Sequence, residues 1–158
     1  MARRFFSCTV GCIRGPERRR FDLKTILLAY DGTEKSERAL ARAAEVAKAF
    51  DATVHITSVA PMRGSAHGMG PYDPTDPPDE HDQQLEGARA RMAESGVTAM
   101  LVRAHGDPVE AILEIADEVD ADLIVLGSHE RSLIERALGM SVSGAVARKA
   151  HRDVLIAH

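Results

Sequence analysis

The sequence predicts an α/β fold, a three-layer, doubly wound sandwich built on a five-stranded parallel sheet in the order 3-2-1-4-5. Three observations carry this reading. Short apolar, β-prone runs alternate along the chain with segments of helical apolar spacing, which implies right-handed crossovers between parallel strands. The runs at 24–30 and 122–126 are almost continuously apolar, as strands covered by helices on both faces are. The chain has 158 residues, the length of one compact domain with a short tail and not of a two-domain enzyme.

Each element has its own signal. Lys24 to Tyr30 reads as the first strand because the apolar run stops at Asp31-Gly32-Thr33, a tight-turn sequence. From Thr33 to Phe50, apolar residues return at Leu40, Ala43, Ala44, Ala47 and Phe50, the spacing of one helical face. Residues 53–59 form a second β-prone stretch. Pro61 to Asp82 is rich in Gly, Pro, Asp and Met without periodicity and reads as a long loop. Leu85, Ala88 and Met92 mark a helix over 83–94 that ends before Gly96, and 98–103 is the third strand. Asp107 as N-cap and Pro108 at the first helical position open the next helix, whose buried face is Val109, Ile112, Leu113, Ala116 and Val119. Residues 122–126 make the fourth strand, 142–150 the last helix and 153–157 the fifth strand.

Composition narrows the function. Hydrophobic residues make up 44% of the chain and charged residues 28%, a globular balance. Aromatics are only 4%, with no Trp, so the core rests on Ala, Val, Ile and Leu, and stacking platforms for single-stranded nucleic acid are not expected. Six Arg against the single Glu17 leave residues 1–20 at +5, so a chain of net −4 carries −9 on the other 138 residues. An acidic body is poorly suited to phosphate backbones. Residues 1–22 are therefore read as a disordered basic leader and 23–158 as the domain. Arg3, Arg4 and the apolar run to Ile13 faintly resemble an export signal, but the run is short and ends at Arg14. Both cysteines, Cys8 and Cys12, lie in the leader, which fits a reducing compartment. No apolar stretch approaches the ~20 residues of a membrane span. The expectation is a cytoplasmic protein with no membrane and no nucleic-acid partner.

Doubly wound sheets bind ligands where the strand order reverses. With the order 3-2-1-4-5 that point lies between the first and fourth strands, so Asp31-Gly32 and Gly127-Ser128-His129 face one crevice. Around it the residues resemble the universal stress protein family over about 23–158. The resemblance is strongest from Ala121 through Leu126-Gly127-Ser128-His129, Arg131-Ser132 and Glu135-Arg136, then Ser141-Val142-Ser143 to Ile156, with support from Asp31 and the Gly106-Asp107-Pro108 turn. The resemblance implies the adenine-nucleotide alpha-hydrolase-like fold, a homodimer paired through the C-terminal strand, and a stress-response or regulatory module instead of an enzyme.

In the ATP-binding branch of that family, the signature is Gly, two residues, Gly, nine residues, Gly, then Ser or Thr. Gly127 matches the first glycine and Ser141 the final hydroxyl, but Glu130 and Met140 stand at the second and third glycines, with Gly139 displaced by one. Glycine there lets backbone amides approach an anion, and a carboxylate opposes it. Arg131, Ser141 and Ser143 remain phosphate partners, and Asp31 a metal-facing carboxylate if ATP comes with magnesium. By the same resemblance, Ala29, Tyr30, Val54 and Leu126 would line the base pocket, with Val142 beside the phosphates. Each also has a plain role: Asp31 and Ser141 as caps, His129 as a solvated loop residue, the apolar ones as strand core.

Two classes therefore stand side by side. One is a nucleotide-free dimer acting through an unknown protein partner, favoured by Glu130 and Met140. The other is an ATP-binding switch, favoured by Ser141 and Ser143. A weak ATP hydrolase is a third, lesser class, since the domain has no nucleophile elbow, no phosphate loop with Gly-Lys-Ser or Gly-Lys-Thr and no cysteine.

Overall fold

In a computed structural model of the protein, residues 22–60, 80–128 and 141–158 are described. Among them five strands, β1 (Thr25–Ala29), β2 (Thr53–Ala60), β3 (Ala99–His105), β4 (Leu123–Gly127) and β5 (Asp153–Ala157), form one sheet in the order β3-β2-β1-β4-β5. Every pairing is parallel. The direction is that implied by the alternating pattern, and the order is the expected one.

Helices cover both faces, which is why β1 and β4 are almost continuously apolar. On one face α1 (Glu34–Phe50) and α2 (Glu80–Glu94) pack on Ile26, Leu28, Val54, Ile56 and Val125. On the other, α3 (Pro108–Glu118) and α4 (Val142–Lys149) pack on Leu27, Ile124 and Leu126. Successive residues of β1 thus alternate between two cores, as strand geometry requires.

The helix starts are fixed by side chains that satisfy exposed N–H groups. Thr33 Oγ1 accepts from the Ser36 N–H at 3.3 Å, Asp107 Oδ1 from the N–H groups of Val109 and Glu110 at 3.0 and 3.1 Å, and Ser141 Oγ from the Gly144 N–H at 3.3 Å. At the amino end of the sheet, Asp122 Oδ2 accepts from the N–H groups of Lys24 and Thr25 at 2.8 and 2.9 Å, joining β4 to β1. Two boundaries differ from expectation by more than one residue. The second helix starts at Glu80, not Gln83, because its first turn is polar and leaves no apolar period to read. The third strand runs on to His105, two residues past Arg103, because its pairing with β2 continues to Ala60↔His105. The leader and most of the 61–82 loop lie outside the described residues. No described helix is long and apolar enough to cross a membrane.

Candidate functional site

A cleft of about 220 Å³ opens at the carboxyl ends of β1 and β4, the two strands between which the order reverses. It is built from both sides of the switch. From the β1 end come Ala29, Tyr30 and Asp31, and from α1 Thr33, Lys35 and Ser36. Leu126 and Gly127 close β4, Val142 and Ser143 begin α4, and Pro108 and Ile112 begin α3. Thr57 and Val59 enter from the end of β2.

Local chemistry holds this arrangement in place. The Tyr30 N–H donates to the Thr57 carbonyl at 2.8 Å, continuing the β1–β2 ladder past the strand end. Asp31 Oδ1 accepts from the N–H and hydroxyl of Thr33 at 3.1 and 2.7 Å, which forms the turn and places the Thr33 cap. Gly127 lies against α1: a Cβ built there would stand 2.7 Å from the carbonyl carbon and 2.8 Å from the carbonyl oxygen of Lys35. Ser141 and Ser143 share a hydrogen bond of 2.9 Å between their hydroxyls.

The Tyr30 side chain spans the cleft and the α1/α2 core. Its hydroxyl donates to Glu37 Oε1 and accepts from Arg91 Nη2 at 2.8 Å, while Arg91 Nη1 donates to Glu37 Oε2 at 2.7 Å. The guanidinium carbon also sits 5.8 Å from the ring centroid. Burial raises the Tyr30 pKa, and the Glu37 carboxylate raises it further against the opposing pull of Arg91, so the phenol stays neutral. The triad ties the end of β1 to both helices.

Of the residues expected at the site, Ala29, Tyr30, Asp31, Leu126, Gly127, Val142 and Ser143 meet at this cleft. Ser128 is buried beside it, its N–H donating to the Ala157 carbonyl at 2.7 Å. Ser141 stands one shell back, bonded to Ser143. Val54 is elsewhere: it pairs in register with Ile26 near the amino end of β2 and is buried under α1 and α2, whereas the cleft sits at the carboxyl end. His129 and Arg131, like Glu130 and Met140, lie outside the described residues. Sequence reasoning missed Thr33, Lys35, Ser36, Thr57, Val59, Pro108 and Ile112. Thr57 and Val59 were within reach, because they alternate at the carboxyl end of β2, where such sheets place their ligands.

Known proteins carry similar chains. The sequence model described as the universal stress protein family matches residues 22–158. The universal stress protein Rv1636 of Mycobacterium tuberculosis is 33% identical over 141 residues, covering 85% of this chain and 96% of that protein. The universal stress protein MJ0531 of Methanocaldococcus jannaschii is 32% identical, covering 84% and 81%. A crystal structure of a universal stress protein in complex with cAMP superposes with a TM-score of 0.69 at 32% identity, covering 87% of this chain and 98% of that one.

Proposed function

The chain belongs to the universal stress protein family, and from that premise we propose that it is a regulatory module whose state is set by an adenine nucleotide bound in the β1/β4 cleft. The observation that carries the proposal is the polarity of the cleft. Its lining is apolar at Ala29, Val59, Ile112 and Leu126 and polar at the exposed Asp31 and Thr33 and the half-buried Lys35, with Ser143 buried. That suits a flat heterocycle against the apolar part and an anionic group against the polar part. Lys35 supplies a cation, and Ser143 stands at the amino end of α4, where helix N–H groups favour negative charge.

The size of the cleft and the sequence of the phosphate loop favour a small anion. At about 220 Å³ the enclosed part falls below the roughly 300–1,000 Å³ of pockets for drug-sized ligands, so it takes the base, with the rest of the ligand at the mouth. Glu130 replaces a glycine in the segment that would face a triphosphate, which disfavours a highly charged tail. A monophosphate or cyclic monophosphate fits better than ATP, in keeping with the cAMP held by the 32% identical neighbour. Magnesium with ATP would call on Asp31, but its Oδ1 already accepts twice from Thr33.

Binding without turnover is the reading these residues support. Tyr30 is held neutral and Asp31 serves the turn, so the cleft offers a ligand contacts more than an acid–base pair. The second reading, a nucleotide-free dimer working through a protein partner, keeps the support of Glu130 and Met140. Calorimetric titration of cAMP, and separately of ATP with magnesium, into the purified protein tests both. Micromolar binding of cAMP with weaker ATP is expected. Absence of heat with either ligand, and of nucleotide released on denaturation, would transfer the case to the dimer, and sustained phosphate release from ATP would make the protein a hydrolase.

A further inference from the structure

Thr57 is a polar residue among the buried walls of the cleft. Its side chain is 0% exposed, yet its hydroxyl oxygen has no hydrogen-bond partner among the described residues. Its backbone, by contrast, is fully used: β2 pairs here with Ala29 on one side and Val102 on the other, and the Thr57 carbonyl accepts from Tyr30. The neighbours on this face are apolar, Ala29, Val59 and Val102, together with Ile112 from the covering helix. A buried hydroxyl without a partner is uncommon, because it forfeits its bonds to water and gains none in return. Valine has the same shape and would fill the position without that cost.

We propose that the Thr57 hydroxyl is a ligand-reading group: it hydrogen-bonds the nitrogen-bearing edge of the base that enters the cleft, and so sets which heterocycle the protein accepts. The inference rests on the nucleotide reading above and deepens it. Apolar walls hold any flat ring, but they discriminate weakly between rings of similar size, whereas a polar group that only the right ligand satisfies rejects the others. Thr57 is the residue of the cleft lining that is both completely buried and polar, and its hydroxyl donates and accepts with equal ease. It therefore suits a purine edge, where a ring nitrogen accepts and an exocyclic amine donates.

The test compares the unaltered protein with Thr57→Val and Thr57→Ser, using cAMP as the probe in calorimetry and following thermal unfolding without ligand. Thr57→Val is expected to weaken cAMP about tenfold, the scale of one net hydrogen bond, while Thr57→Ser stays within about threefold. The ligand-free melting temperature of Thr57→Val should equal or exceed that of the unaltered protein, because no protein partner is lost. Equal cAMP affinity in Thr57→Val and the unaltered protein overturns this inference and leaves the nucleotide reading intact. A Thr57→Val that melts well below the unaltered protein makes the hydroxyl structural and overturns it too. If the unaltered protein binds neither cAMP nor ATP, both readings fall together.

Discussion

Gly127 is a glycine for want of room, and the reason differs from the one its motif suggests. In the phosphate-loop pattern the first glycine serves an anion, but here the pressing neighbour is backbone. A methyl group would meet the Lys35 peptide at 2.7–2.8 Å, and backbone in the first turn of a 17-residue helix does not yield as a flexible side chain would. Gly127→Ala is therefore expected to cost about 1–3 kcal/mol, the range for forcing atoms into a packed site. It should also reduce cAMP affinity, because α1 carries Lys35 and Ser36 into the cleft. Chemical denaturation with calorimetry checks both, and a variant of unchanged stability would show that α1 shifts freely. Neighbouring Gly144 is a useful control: its Cβ would meet nothing closer than 3.5 Å, from a flexible arginine end.

At the scale of elements, the start of α3 decides more than its own stability. Asp107 accepts two N–H groups there, and Pro108 and Ile112 of the same helix line the cleft. Asp107→Ala is expected to cost about 1 kcal/mol, a fall of about 2–4 °C in melting temperature, with Asp107→Asn nearly neutral. Differential scanning calorimetry of the two variants checks it, and equal melting temperatures would mean that the cap is not needed. This helix was legible beforehand because Asp-Pro and a 3–4 apolar spacing are local signals. The same holds for β1, β4 and the reversal between them, which brought Asp31 and Gly127 together before any coordinates. Lys35 was not legible, and Thr57 and Val59 could be placed at the carboxyl end of β2 but not on a wall of the cleft. Their place depends on how β2 aligns with β1 and on which face α3 covers, and neither is written in a linear pattern of apolar residues. Val54 shows the same gap: the family resemblance suggested a pocket wall, and register put it near the amino end of the strand.

At the scale of the whole molecule, the sheet ends at β5, which pairs with β4 on one side. Val154, Leu155 and Ile156 on it are only half-buried. A short apolar edge strand invites another strand unless something covers it, and a second copy of the same edge is the simplest cover. A homodimer through β5 is thus expected, with light scattering at micromolar protein giving twice the chain mass. Replacing Ile156 with Asp should give the monomer with the fold retained, as thermal unfolding checks, while Val154, which packs on the α3/α4 core, is left unchanged. A monomeric unaltered protein would count against the whole arrangement. The dimer also bears on the ligand, because Gly127 pairs in register with Ala157 and the Ser128 N–H donates to the Ala157 carbonyl at 2.7 Å. The wall of the cleft is therefore hydrogen-bonded to the strand on which the copies would meet. If pairing fixes β5, ligand affinity should differ between dimer and monomer, and by linkage the ligand should shift the dimer equilibrium by the same factor. Equal cAMP affinity in the two forms would separate assembly from binding and leave the edge strand a purely structural contact.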